Sequence, residues 1–223
     1  MDKFNNIYFY KYLIKQLKRF NPKIIMKIEY FYSLASPFTF LGSEKFQAIA
    51  KKYNAEIVEK PCDLVGGIFS KTGGVPVPQR SLQRQKYRLD ELKRWSEFLD
   101  IKINIKPNFF PPMDPHIPAK YTIAANLLGF KIFFGHELLK KLWVEEKDVS
   151  DENNIELISK QFKIDFNELS SLAKSEKVSK IYTDNTEEAV QKNVFGAPTY
   201  IFNNELFWGQ DRLEFLERAL RKA

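Results

Sequence analysis

The sequence predicts an α/β fold in which a βαβ unit and a ββα unit flank an all-helical insertion. Three observations support this prediction. Strand and helix patterns alternate over residues 28–59, helical periodicity dominates the middle of the chain, and two short strand patterns precede a closing helix. We therefore expect one domain at residues 26–223, with the helical insertion at about residues 79–185.

The βαβ unit consists of a strand at Ile28–Tyr32, a helix at Pro37–Tyr53 and a strand at Ala55–Glu59. Two strands joined by a crossover helix usually pair in parallel, so we expect a parallel pair here. Ser36 stands directly before the helix, and Pro37 occupies the first helical position, where proline is favoured. The pattern Ser-Pro is typical of a helix N-cap.

The ββα unit ends the chain. Its two strand patterns lie at Thr199–Phe202 and Glu205–Trp208. They flank Asn203-Asn204, and because asparagine tolerates positive φ, this two-residue loop predicts a hairpin. Asp211 and Glu214 have the spacing of a capping box, so we expect the closing helix to begin at Asp211.

The basic charge is concentrated at the N-terminus. The chain has a net charge of +7; six basic residues and one acidic residue give residues 1–25 a net +5, which leaves +2 for residues 26–223. A nearly neutral body argues against a nucleic-acid groove, so we expect no nucleic-acid partner. Residues 1–25 are interpreted as a basic N-terminal extension of unknown role.

Several classes of protein are disfavoured by what the sequence lacks. It contains no apolar run of the length of a membrane span. Its single cysteine, Cys62, allows neither an internal disulfide nor a dithiol redox centre, and we expect a cytoplasmic location. His116 and His136 have no metal-ligand spacing, so no metal site is expected.

The order βαβ, helical block, ββα is the thioredoxin layout with an insertion. Within it, three segments resemble the bacterial 2-hydroxychromene-2-carboxylate isomerases and the related kappa-class glutathione transferases: Ser36–Gly42, Phe195–Thr199 and Phe207–Leu213. They occur in the same order as in that family, and the resemblance covers about residues 26–223. It implies a thioredoxin-like fold, glutathione as the cofactor and a small-molecule substrate; a homodimer is compatible with it.

The resemblance implies that Ser36 is the catalytic residue. The start of a helix favours negative charge, and redox members of this fold place a cysteine there. A serine in that place could donate a hydrogen bond to the thiolate of glutathione. The alternative, that Ser36 is only an N-cap, remains open on the residues alone.

The remaining cofactor contacts also follow from the resemblance. A cis bond at Ala197-Pro198 would leave the backbone N–H and C=O of Ala197 free to pair with glutathione as an extended peptide. Gln210, Asp211 and Arg212 would hold its γ-glutamyl end. The alternatives are a trans proline in a turn, a capping Asp211 and a solvated Arg212.

By the same resemblance, Arg84 falls near the family's basic residue that meets the glycyl carboxylate of glutathione. The alternative is that all the basic residues of Arg80–Arg94 belong to a solvated helix face. Gly74 stands where many relatives have asparagine, which leaves the substrate unassigned.

The implied reaction is a reversible addition of glutathione thiolate to an unsaturated, aromatic-derived acid, as in the isomerases. A kappa-like glutathione transferase would use the same thiolate without the return step, and a non-catalytic thioredoxin-like binding module would not use it at all. A disulfide oxidoreductase is disfavoured, because Ser36 and Thr39 occupy the two positions of the cysteine pair.

Overall fold

The strands form one mixed sheet in the computed structural model, which describes residues 25–130 and 132–223. The strands are β1 (Lys27–Tyr32), β2 (Glu56–Pro61), β3 (Thr199–Phe202) and β4 (Glu205–Trp208). Their order in the sheet is β2-β1-β3-β4; β1 and β2 are parallel, as predicted, and the other two pairs are antiparallel. The basic extension predicted at residues 1–25 lies outside the described residues, apart from Ile25.

Helices pack around this sheet, and most of them lie between β2 and β3 in the sequence. They are α1 (Pro37–Lys52), α2 (Leu82–Leu99), α3 (His116–Leu127), α4 (Ile132–Trp143), α5 (Glu152–Gln161), α6 (Phe166–Ala173), α7 (Glu176–Gln191) and α8 (Leu213–Lys222). The loop between β2 and α2 contains a π-helical turn at Leu64–Phe69 and two shorter turns. The architecture is the predicted thioredoxin-like fold with a helical insertion. None of the helices in the described ranges is long and apolar enough to cross a bilayer.

The side chains of β1 point alternately to two hydrophobic clusters. Ile28, Tyr30 and Tyr32 are buried in the main core, where the ring of Tyr30 stacks on that of Tyr200 at a centroid distance of 5.3 Å. Phe31 faces the opposite side of the sheet. The second, smaller cluster consists of Phe31, Cys62, Ile68, Ala189, Val194 and Ile201. The sheet is therefore covered on both faces.

The hairpin forms as predicted, but the closing helix begins later than predicted. Asn203 and Asn204 have φ of 49° and 64°, the left-handed values that a tight hairpin loop needs. Gln210–Arg212 forms a 3₁₀ turn, α8 begins at Leu213, and no side chain caps it. The expected capping box at Asp211 is wrong, because the Asp211 carboxylate lies over the backbone of Gly209 instead.

Gly42 gives a direct test of how the two halves of the fold pack. A Cβ built on Gly42 would lie 2.6 Å from the Cβ of Gln210. Alanine normally stabilises a helix interior relative to glycine by about 1 kcal/mol. We nevertheless expect Gly42→Ala to lower the free energy of unfolding by about 1–3 kcal/mol, because this contact is overpacked. Denaturant unfolding measures the change.

The control for this substitution is Lys51→Ala, at an exposed position of the same helix. We expect it to change the free energy of unfolding by less than about 0.5 kcal/mol. A net stabilisation by Gly42→Ala would contradict the close approach of α1 to the Gln210 turn.

Candidate functional site

Ser36 occupies the turn that connects β1 to α1. Its backbone N–H donates to the carbonyl oxygen of Ser33 at 3.1 Å, which closes the turn. Its Oγ accepts a hydrogen bond from the N–H of Thr39 at 3.2 Å, and Pro37 takes the first helical position. The N-cap that the sequence predicts is thus confirmed, and the side chain is held at the N-terminal end of α1.

The Ser36 hydroxyl also reaches the segment that precedes β3. It donates a hydrogen bond to the carbonyl oxygen of Ala197 at 3.3 Å, and the Ala197-Pro198 bond is cis, as the resemblance implies. The expectation that this carbonyl is free is wrong, since it already accepts from Ser36. No hydrogen-bond partner of the Ala197 N–H is found in the described part of the chain.

The Gly209 turn joins the same site. The N–H of Gly209 donates to the carbonyl oxygen of Pro198 at 2.9 Å, and the buried Gln210 packs against Gly42 of α1. Asp211 keeps a side-chain exposure of 36% and pairs with Arg212, Nη1 to Oδ2, at 3.3 Å. Ser36, Ala197-Pro198 and residues 209–212 therefore form one continuous site, although they come from distant parts of the sequence.

The electrostatic environment of Ser36 favours an anion. The first turn of α1 contains no acidic side chain that would neutralise the positive end of this helix. A ligand thiolate placed there would be stabilised by the helix terminus and by the hydroxyl of Ser36.

No cysteine of the described residues can replace the ligand in this role. Cys62 lies in the second hydrophobic cluster with an exposure of 3%. Burial raises the pKa of its thiol to about 12, and the neighbouring Asp63 contributes to this increase, so the thiol is protonated at neutral pH. Within the described residues, the candidate site therefore contains no reactive protein thiol.

Arg84 is less closely associated with the Ser36 site than the other predicted residues are. It is exposed in the first turn of α2, and within the described ranges its side chain makes no hydrogen bond or ion pair with the Ser36 site. The alternative of a wholly solvated basic face is wrong for Arg88, one turn further along, because its guanidinium lies 5.0 Å from the ring centroid of Phe110 and is partly buried. The signal in the sequence that could have identified Arg88 was the four-residue spacing of Arg80, Arg84 and Arg88.

Gly74, the position that departs from the family pattern, is tightly packed. A Cβ there would lie 2.1 Å from Cδ1 of Phe69, so an asparagine would require the Phe69 ring to move. The ring therefore occupies space that an asparagine side chain would need.

The two histidines make structural contacts. Nδ1 of His136 lies 2.6 Å from Oγ of Ser43, whose hydroxyl donates to the carbonyl of Phe40, so the ring N–H is the donor. Burial lowers the pKa of His136, and Glu44 partly opposes this. Ser43 is 1% exposed and cannot act as a nucleophile. Within the described residues, no group of three or more histidine, cysteine or carboxylate side chains could hold a metal ion.

Comparison with known proteins agrees with this fold. The family model of the DSBA-like thioredoxin domain matches residues 27–221. The chain belongs to this family. It is 23% identical over 193 residues to the 2-hydroxychromene-2-carboxylate isomerase of Sphingobium xenophagum, a match that covers 86% of this chain and 97% of the relative.

Two further comparisons extend the relationship. The chain is 23% identical over 208 residues to human glutathione S-transferase kappa 1, covering 86% of this chain and 90% of the relative. Its fold matches a solved structure of 2-hydroxychromene-2-carboxylate isomerase with a TM-score of 0.73, at 22% identity, over 88% of this chain and 95% of that one. The relatives of this chain thus include an isomerase and a glutathione transferase.

The burial of Cys62 leads to a prediction about thiol reactivity. We expect the native protein to react with iodoacetamide at less than about one hundredth of the rate of the urea-unfolded protein, because the thiol is buried and protonated. Mass spectrometry of the quenched reaction measures the modified fraction. Rapid alkylation of the folded protein would show that Cys62 is accessible and would reopen a thiol-based chemistry.

Proposed function

We propose that this protein is a glutathione-dependent isomerase or transferase in which Ser36 stabilises the glutathione thiolate. The observation that supports this most directly is the position of the Ser36 hydroxyl. It lies at a helix N-terminus without acidic neighbours in its first turn, and it is hydrogen-bonded to the carbonyl that precedes a cis-proline. If Ser36 were only an N-cap, its hydroxyl would not need a hydrogen bond to the segment that contains the cis-proline.

The residues around Ser36 fit glutathione. The unpaired N–H of Ala197 would donate to the peptide backbone of the ligand, in the manner of an added strand. Asp211, part-exposed beside Gly209, would accept from the γ-glutamyl ammonium, while Gln210 and Arg212 complete that end. Arg84 would meet the glycyl carboxylate, since a guanidinium can bind a carboxylate through two hydrogen bonds.

When bound, glutathione would supply the thiolate that adds reversibly to an unsaturated carbon of an aromatic-derived acid. The role of the chain is to hold that sulfur as an anion. Ser36 would turn its hydroxyl from the carbonyl of Ala197 towards the sulfur, and the positive end of α1 would lower the thiol pKa.

The isomerase and the transferase share the addition step and differ only in how the adduct is released. An isomerase expels the sulfur after rotation about the former double bond, whereas a transferase releases the conjugate. The isomerase relative supports the first and the kappa-class relative the second. A binding module without catalysis would bind a peptide here without ionising a thiol.

The substitution Ser36→Ala tests the thiolate. We expect wild type to show ultraviolet thiolate absorbance with glutathione at a pH about two units below the ordinary thiol pKa of about 8.5, and Ser36→Ala to lose that absorbance together with glutathione-dependent turnover. Turnover is measured on a chromene carboxylate and on a generic electrophile. If turnover is lost on only one of these two substrate classes, the result distinguishes an isomerase from a transferase.

Ser175→Ala is a matched control, because Ser175 is also a serine N-cap and accepts from the N–H of Val178 at 3.3 Å. Both substitutions should lower the free energy of unfolding by about 1 kcal/mol, but only Ser36→Ala should affect the thiolate. Wild type without thiolate absorbance would leave the binding module as the better description. Equal absorbance and turnover in Ser36→Ala would exclude Ser36 as the partner of the sulfur.

Asp211→Asn tests the γ-glutamyl contact. We expect about a tenfold or greater loss of glutathione affinity, because a charge-assisted hydrogen bond to an ammonium is replaced by a neutral one. Equilibrium titration measures the dissociation constant. The control is Glu214→Gln, which removes an exposed carboxylate three residues away that pairs with Lys45 instead. Similar affinities for the two variants would argue against this role of Asp211.

A further inference from the structure

Three arginines lie together at the start of α2 and form the arginine cluster: Arg80, Arg84 and Arg88. Arg84 and Arg88 are one helical turn apart on the same face. Arg80 precedes the helix, and its Nε donates to the carbonyl oxygen of Val75 at 2.7 Å, which restrains its guanidinium. The cluster therefore holds like charges close together.

Arg88 is the most buried member, and part of its hydrogen-bonding capacity is unused. Its guanidinium lies over the rings of Phe110 and Trp143, at 5.0 Å and 5.9 Å from their centroids. Among the described residues, its buried Nη2 has no hydrogen-bond partner, and neither has Nε1 of the fully buried Trp143. Both groups are hydrogen-bond donors, so a hydrogen-bond acceptor is missing beside Arg88 and Trp143.

The arginine cluster also lacks a counter-ion among the residues that the structure describes. The other basic side chains of α2, Lys86, Lys93 and Arg94, each pair with an acidic residue of the same helix. Within residues 25–130 and 132–223, no carboxylate pairs with a member of the cluster. Burial lowers the pKa of Arg88 to about 10, and the charge of Arg80 contributes to this decrease. An uncompensated, part-buried cation destabilises a fold unless an anion binds to it.

The arginine cluster lies on the same side of the fold as Ser36. Since β1 and β2 are parallel, their carboxyl ends share one edge of the sheet, and the N–H of Cys62 donates to the carbonyl of Tyr32 there at 3.0 Å. Ser36 follows β1, and the loop to α2 follows β2. The helix α2 also packs against α1.

We infer that the arginine cluster is a carboxylate-binding subsite in which Arg88 determines specificity for an acidic electrophile. A guanidinium stacked on aromatic rings offers a planar, preorganised pair of donors to a carboxylate. The inference rests on the proposed function, in which Arg84 binds the glycyl carboxylate of glutathione. It adds a second bound carboxylate, held by Arg88. The glycyl end of glutathione also carries a carboxylate, and the experiment distinguishes it from the carboxylate of the electrophile.

The test uses the full chain without glutathione, so that it does not depend on Ser36. Benzoate and its neutral analogue benzamide are titrated by calorimetry into wild type, Arg88→Met, Arg88→Lys and Arg94→Met. We expect wild type and Arg94→Met to bind benzoate at least about tenfold more tightly than benzamide. Arg88→Met should lose this preference, and Arg88→Lys should retain part of it, since the lysine keeps charge but not the planar donor pair.

Two further measurements keep the outcomes distinct. Arg88→Met should unfold at the same or a higher denaturant concentration than wild type, because it removes an unpaired cation; a loss of preference with retained stability therefore reports binding. The second is the glutathione affinity of Arg88→Met, which should be within about twofold of wild type if the carboxylate belongs to the electrophile.

Three results would overturn the inference. The first is the absence of a benzoate preference in wild type, and the second is an unchanged preference in Arg88→Met. The third is weakened glutathione binding with unchanged benzoate binding, which would assign the cluster to the glycyl carboxylate. Failure of the thiolate assay alone would overturn the proposed function and leave the benzoate result standing.

Discussion

The hydrogen bond from the Ser36 hydroxyl to the carbonyl oxygen of Ala197 joins two residues 161 positions apart and connects the two halves of the fold at the candidate site. It requires β1 and β3 to pair, because these strands bring the N-terminus of α1 next to the cis-proline segment. Gly42 then allows the Gln210 turn to approach α1. The two thioredoxin-like halves thus bring the segments of the candidate site together.

Positive potential is distributed unevenly over this nearly neutral body. The N-terminal end of α1 is positive through its backbone dipole, whereas the arginine cluster is positive through side chains that lack acidic partners among the described residues. A dipole end near a hydroxyl suits a soft, localised anion such as a thiolate. Planar guanidinium groups suit a carboxylate. The two regions are therefore chemically different, and each suits a different kind of anion.

Local signals in the sequence were reliable where local interactions decide the structure. Asn203 and Asn204 predicted the hairpin because positive φ is a property of single residues, and Ser36 predicted the cap because its partner is three residues away. Asp211 carried an equally clear capping signal, which was wrong. Its carboxylate lies over Gly209, whose position is set by a hydrogen bond to Pro198 rather than by the start of α8.

The sequence by itself determined the order of the elements, the Ser36 cap and the absence of a redox cysteine pair, because each depends on residue type and short spacing. Only the tertiary structure decided that the hydroxyl of Ser36 binds the carbonyl of Ala197 and that Arg88 is desolvated over Phe110. Both depend on packing between segments far apart in the chain. Whether a basic residue lies in solvent or against a ring cannot be derived from periodicity, because periodicity gives the face of a helix and not what covers it.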